Sequence, residues 1–83
     1  MNEILKIINE WDPAKLFPAA PKDEYIHEVC EIAKCMNKKN INVDELTHDI
    51  YDIFDKAFDF EGFVLKKEEC RIIASKLINL LKN

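Results

Sequence analysis

A chain of 83 residues, 48% hydrophobic and 34% charged, suffices for one small domain with a core and is too apolar for a disordered segment. Its formal net charge of −4, from 12 Lys and Arg against 16 Asp and Glu, argues against nucleic-acid binding, which needs a positive surface to displace counterions. No run reaches the roughly 18 consecutive apolar residues of a membrane span, and the one glycine, Gly62, leaves no glycine-rich loop for a nucleotide phosphate.

The first helix is expected over Asn2 to Glu10 or Trp11. Ile4, Leu5, Ile7, Ile8 and Trp11 recur at helical spacing, and Pro13 forces an end. The next stretch, to Tyr25, holds all three prolines and reads as an irregular connection. Asp12 before Pro13 has the form of an N-cap followed by proline at the first helical position. Its carboxylate is placed to accept amides of a short turn over Ala14 to Phe17. Leu16 and Phe17 are expected to plug one end of the molecule.

The second helix is expected to begin between Pro21 and Asp23 and to run to about Asn37. Tyr25, Val29, Ile32, Ala33 and Met36 share one face of it. Asp23 and Glu24 suit the exposed amides of a first turn, and Lys34, Lys38 and Lys39 suit the far end. Asn42 followed by Glu45 is a capping-box analogue opening a third helix, Val43 to about Phe58. Its apolar face holds Val43, Leu46, Ile50, Ile53, Phe54 and Ala57, and Gly62 is the expected stop. The fourth helix is expected over Lys67 to Leu81, with Cys70, Ile73, Ala74, Leu77, Leu80 and Leu81 inward and Ile72 on the opposite side. The fold class is therefore all-α: a single domain over 1–83, four-helix bundle-like and mostly antiparallel, with an irregular proline-containing connection between the first two helices.

Cys30, Cys35 and Cys70 are odd in number and form no C-x-x-C. They read as reduced thiols of a cytoplasmic protein, in keeping with the lack of a basic leader and apolar signal run. Two Glu-x-x-His pairs, Glu24 with His27 and Glu45 with His48, match half the ligand set of a di-metal helical bundle. Both histidines, however, fall far from the apolar faces of their helices. Asp44, His48 and Asp52, spaced four apart, share an outer face but lack a fourth ligand and a protected surround. Ser75 has no local histidine, and His27 with Cys30 has no visible oxyanion partner. No cofactor is expected, and a small metal binder or enzyme of unassigned reaction is the alternative reading.

What remains is charge. Residues 43–61 carry Asp44, Glu45, Asp49, Asp52, Asp55, Asp59 and Glu61 against Lys56 alone. Such a ridge steers a basic protein partner. Exposed Ile72, together with Ile78 at the edge of the apolar face, fits a weak homodimer.

The run Ile7-Ile8-Asn9-Glu10-Trp11-Asp12-Pro13, then Leu16-Phe17-Pro18, then Pro21-Lys22-Asp23-Glu24-Tyr25 with Glu28 and Ile32, resembles the YugE-like family of small helical bacterial proteins. The motif-bearing part covers about the first 35 residues. The resemblance implies a short all-helical cytoplasmic domain with no assigned substrate or cofactor. Similar Trp-Asp-Pro and Asp-Glu-Tyr segments occur in small proteins suspected of toxin immunity, which implies a regulatory, protein-binding role. Two physical roles for the motif follow. In one, Trp11 covers the end of the bundle with its indole N–H on Asp23 or Glu24, and the Tyr25 hydroxyl joins the same network. In the other, Trp11, Asp12, Asp23 and Glu24 form a recognition patch, beside a second one at Asp52, Asp55 and Asp59.

Overall fold

The computed structural model describes residues 2–59 and 63–81. Among these the chain forms four helices and no strand: α1 (Asn2–Trp11), α2 (Ile26–Met36), α3 (Val43–Ala57) and α4 (Lys67–Leu81). They pack mostly antiparallel in a cycle, α1 against α2 and α4, and α3 against the same two. The all-α, four-helix expectation, with its irregular first connection, is met.

The core follows from the three-and-four spacing of apolar residues. Ile4 and Ile8 of α1, Val29 and Ile32 of α2, Leu46, Ile50 and Phe54 of α3, and Cys70, Ile73 and Leu77 of α4 converge on the axis, all buried. Burying each large aliphatic side chain contributes about 1.5–3 kcal/mol relative to leaving it in water. Cys70 behaves here as a small apolar residue. Burial, then the charge of Glu69, pushes its thiol up to about 11, so it stays protonated.

Three boundary expectations are corrected. α2 starts at Ile26, not between Pro21 and Asp23. Residues 22–25 form a turn whose bonds, Glu24 N–H to Pro21 O (3.2 Å) and Ile26 N–H to Asp23 O (3.0 Å), span three residues instead of four. The late start takes a turn of helix away from the neighbourhood of Ala57, the last residue of α3, which is exposed where the pattern placed it inward. Leu81 is likewise 52% exposed. α1 has 10 residues and α4 has 15, roughly 15 against 22 Å of helix. With Trp11 of α1 bonded to Glu69 of α4, the C-terminal end of α4 overhangs its neighbour.

α3 is capped as its sequence indicates. Asn42, in extended conformation, accepts the Glu45 amide on Oδ1 at 2.8 Å and donates from Nδ2 to Glu45 Oε1 at 3.4 Å. At the other end Phe58 closes the helix, its N–H donating to Phe54 O at 3.0 Å. The stop expected at Gly62 lies outside the described residues. Thr47, buried on this helix, donates its hydroxyl to Val43 O at 2.6 Å and so leaves no polar group unmet.

Removing the cap should cost stability directly. Asn42→Ala is expected to lower the unfolding free energy by about 1 kcal/mol in urea titration, while Lys39→Ala, at an exposed position outside the helices, should change it by less than about 0.5 kcal/mol.

Candidate functional site

The chemistry of the chain is densest where α1 gives way to the 12–25 connection. The Asp12 N–H still donates to Ile8 O at 2.8 Å, completing the last turn of α1. Asp12 itself then turns the chain with φ 47°, and Lys15 follows at φ 55°. Both lie in the left-handed region, where a side chain costs energy and Asp is among the residues that tolerate it best.

The Asp12 carboxylate compensates by collecting donors. Oδ1 accepts the Leu16 N–H at 2.8 Å and the Tyr25 hydroxyl at 2.5 Å, and Oδ2 accepts the Phe17 N–H at 3.2 Å. Tyr25 Oη in turn accepts the Ala14 N–H at 3.1 Å. The amides reached lie within the Ala14–Phe17 turn expected from the sequence; what differs is the N-cap form, since no helix follows. The left-handed φ swings the carboxylate over a loop instead of a helix start. A second tie holds the connection to α1: Asn9 Nδ2 donates to Lys22 O at 2.9 Å.

Charge follows geometry. Partial burial works against the Asp12 anion, but bonds from the Tyr25 hydroxyl and the Leu16 and Phe17 amides, with the nearby Lys15 charge, outweigh it and hold the carboxyl below the usual carboxylate range. For Tyr25, burial and then the Asp12 carboxylate push the phenol far up. The pair is a fixed anion and a fixed donor. Neither is poised to exchange a proton near neutrality.

Tyr25 is fully buried and meets Phe17, Phe54 and Phe58 edge-on at centroid distances of 5.6, 6.0 and 5.7 Å. Trp11 stands edge-on to Phe54 at 5.4 Å. Such pairs add about 0.5–1.5 kcal/mol each beyond area burial. The connection is thus closed by a polar node above and an aromatic cluster below. The expected carboxylate partner of Trp11 is corrected: Nε1 donates to Glu69 Oε1 of α4 at 3.1 Å, not to Asp23 or Glu24. The Asp23 and Glu24 side chains are exposed. Sequence reading missed Asn9 and Glu69. Glu69 is one of two adjacent acids in the first turn of α4, and nothing local distinguishes them.

On α3 the flanks of the acidic ridge are neutralised. Asp44 pairs with Arg71 of α4, and Asp49 with Lys38 at 3.2 Å. Asp52 pairs with His48 at 3.3 Å on the solvent side. Asp55 and Asp59 are exposed and hold no ion pair among the described residues. Of the two recognition patches read from the sequence, Trp11 and Asp12 are engaged internally, while Asp55 and Asp59 are exposed beside half-exposed Asp52.

His27 and His48 are both exposed on their helices, so neither Glu-x-x-His pair turns inward. Among the described residues no three His, Cys, Asp or Glu side chains are grouped to hold a metal ion. A hollow of about 520 Å³ between α2 and α3 is lined by His27, Glu28, Cys30, Lys34, Asp52 and Lys56, among others. All three cysteine thiols are free, Cys30 and Cys35 half-buried and Cys70 buried. No described helix is long and apolar enough to cross a membrane.

A family described as a domain of unknown function, DUF1871, matches residues 3–83. No curated protein and no solved structure matches the chain.

The node and its turn make five expectations. Asp12→Ala strands the Tyr25 hydroxyl and two amides and should cost about 3 kcal/mol in urea unfolding. Tyr25→Phe, which keeps the ring contacts, should cost about 1–2 kcal/mol. The double variant should fall short of the sum by about 1 kcal/mol, because the two share one bond. The Asp12 carboxyl is held low, so the stability it contributes is complete above about pH 4 and is lost as pH falls through its folded value. Half-buried Glu28, pushed up chiefly by burial, acts in the opposite sense in both proteins. The difference between wild type and Asp12→Asn should therefore shrink below about pH 4. Lys15→Gly, relieving the left-handed φ, should raise stability by about 0.5–1 kcal/mol.

Proposed function

We propose a function from the premise that the chain belongs to the DUF1871 family: it is a non-enzymatic interaction module that binds and regulates a basic protein, and within its family it is one of the YugE-like proteins. The observation that carries this reading is the division of the acidic groups. Asp12 spends its hydrogen-bonding capacity on the chain's own donors, whereas Asp55 and Asp59 stand exposed without ion pairs among the described residues, beside half-exposed Asp52. A row of exposed like charge raises the encounter rate of an oppositely charged partner. Like charges along one helix also cost it a few tenths of a kcal/mol per pair, and a binding role offsets that cost.

Asp23 and Glu24, exposed on the turn before α2, extend the outward charge at the end of α2 where Tyr25 packs on Phe58 at the close of α3. Trp11 and Asp12 act beneath it by fixing that turn. An immunity-like role, in which the acidic surface covers the basic site of a toxin, is the form suggested by the resemblance of the Trp-Asp-Pro and Asp-Glu-Tyr segments. We place the protein in the cytoplasm, where its three free thiols stay reduced, and treat 1–83 as one functional unit.

The test is capture from a bacterial lysate on immobilised wild type and on an Asp52→Lys/Asp55→Lys/Asp59→Lys variant, the fold of each checked by circular dichroism. A stoichiometric basic protein is expected on the wild type, with association slowed at least about 10-fold for the variant at low salt. A partner held equally by both forms contradicts the acidic-row assignment. Absence of any partner together with stoichiometric metal in the purified protein would favour the metal-binding alternative.

A further inference from the structure

The seam between α1 and α4 holds an open hollow of about 350 Å³ lined by Ile7, Trp11, Ile72 and Ile73 together with Glu10, Glu69 and Lys76. Ile72 is 57% exposed, the one position of α4 where an isoleucine points away from its own core by a full half-turn of the helix.

The charges on the α1–α4 face are ordered by position. α1 and α4 run in opposite directions, since Trp11 at the end of α1 bonds Glu69 at the start of α4. Glu10 and Glu69 therefore sit at one end of the hollow. Lys76, seven residues beyond Glu69 and roughly 10 Å along α4, sits at the other. Glu68 adds to the acidic end; toward the other, exposed Lys6 and Glu3 of α1 offset one another, which leaves Lys76 as the charge that orders that end. A face that is acidic at one end, basic at the other and apolar between is complementary to itself. Turned over about a two-fold axis crossing the helices, it sets Lys76 of one copy against Glu69 of the next, twice, with Ile72 meeting Ile72 at the centre.

The geometry points to a second copy of this chain as the occupant of the α1–α4 face, in an isologous dimer with α4 antiparallel to α4. This inference stands on a different face from the acidic row of α3 and does not depend on it. The contact is small. α4 is roughly 22 Å long and two helices are about 20 Å wide, which gives on the order of 450 Å² per copy against the roughly 800 Å² of a stable complex. The dimer is accordingly weak, with a dissociation constant on the order of 100 μM, and its charge pairs make it weaker at high salt.

Sedimentation equilibrium from 10 μM to 1 mM (about a hundredfold span around the expected constant) tests it. The weight-average mass of the wild type should climb from monomer toward dimer and level there. Ile72→Asp and Lys76→Glu, both at exposed positions that leave the core intact, should stay monomeric throughout. The Glu69→Lys/Lys76→Glu double variant, with thermal unfolding checked because Glu69 also holds Trp11, should recover association. A wild type monomeric up to 1 mM overturns the inference and leaves the hollow to a different protein. Dimerisation untouched by Ile72→Asp and Lys76→Glu overturns it as well, as does open-ended growth past the dimer.

Discussion

One carboxylate organises the least regular part of the molecule. Asp12 ends α1, reverses the chain at a positive φ, and accepts two amides and a tyrosine hydroxyl. Without those acceptors the half-buried Leu16 and Phe17 amides and the hydroxyl of buried Tyr25 would be donors with no partner, each costing about 1–3 kcal/mol. Proline at position 13 suits this turn, since it fixes its own φ and brings no N–H that would need an acceptor.

The node matters because of what it positions. Tyr25 is the first core residue of the second half of the cycle, immediately ahead of α2, and its ring contacts Phe17, Phe54 and Phe58. Holding its hydroxyl holds the ring, and the ring sets where α2 begins against α3. Trp11 completes the arrangement from the other side, edge-on to Phe54 and bonded to α4. The segment thus touches all four helices while spending its polar atoms internally. The outward chemistry is left to surfaces built on the regular helices, the acidic row of α3 and the seam of α1 and α4.

The helices were legible in the sequence where pattern and cap agree. α3 and α4 begin where their periodicity and the Asn42–Glu45 pair place them, because both signals are local. The start of α2 was not, since Pro21 with Asp23 and Glu24 describes a proline turn as well as it describes a first helical turn, and the ties that decide come from Asn9 and Asp12 on another element. Asp12 as an acceptor for amides of the Ala14–Phe17 turn was readable, and the bonds fall there, yet its left-handed φ was not. The Trp11 partner lies 58 residues away, beyond any local pattern. The acidic run on α3 was visible as composition, but which acids remain unpaired depended on Arg71 and Lys38 arriving from neighbouring elements.

The central claim is that the Asp12–Tyr25 node fixes the 12–25 connection as firmly as the helices it joins. Native-state hydrogen exchange at the Leu16 and Phe17 amides measures this directly. Both lie in a loop without backbone acceptors of their own, so their protection reports the Asp12 carboxylate alone. The account expects them to exchange through global or near-global opening, with protection close to that of the α3 core amides. Exchange of both at the rate of an open surface loop would contradict it.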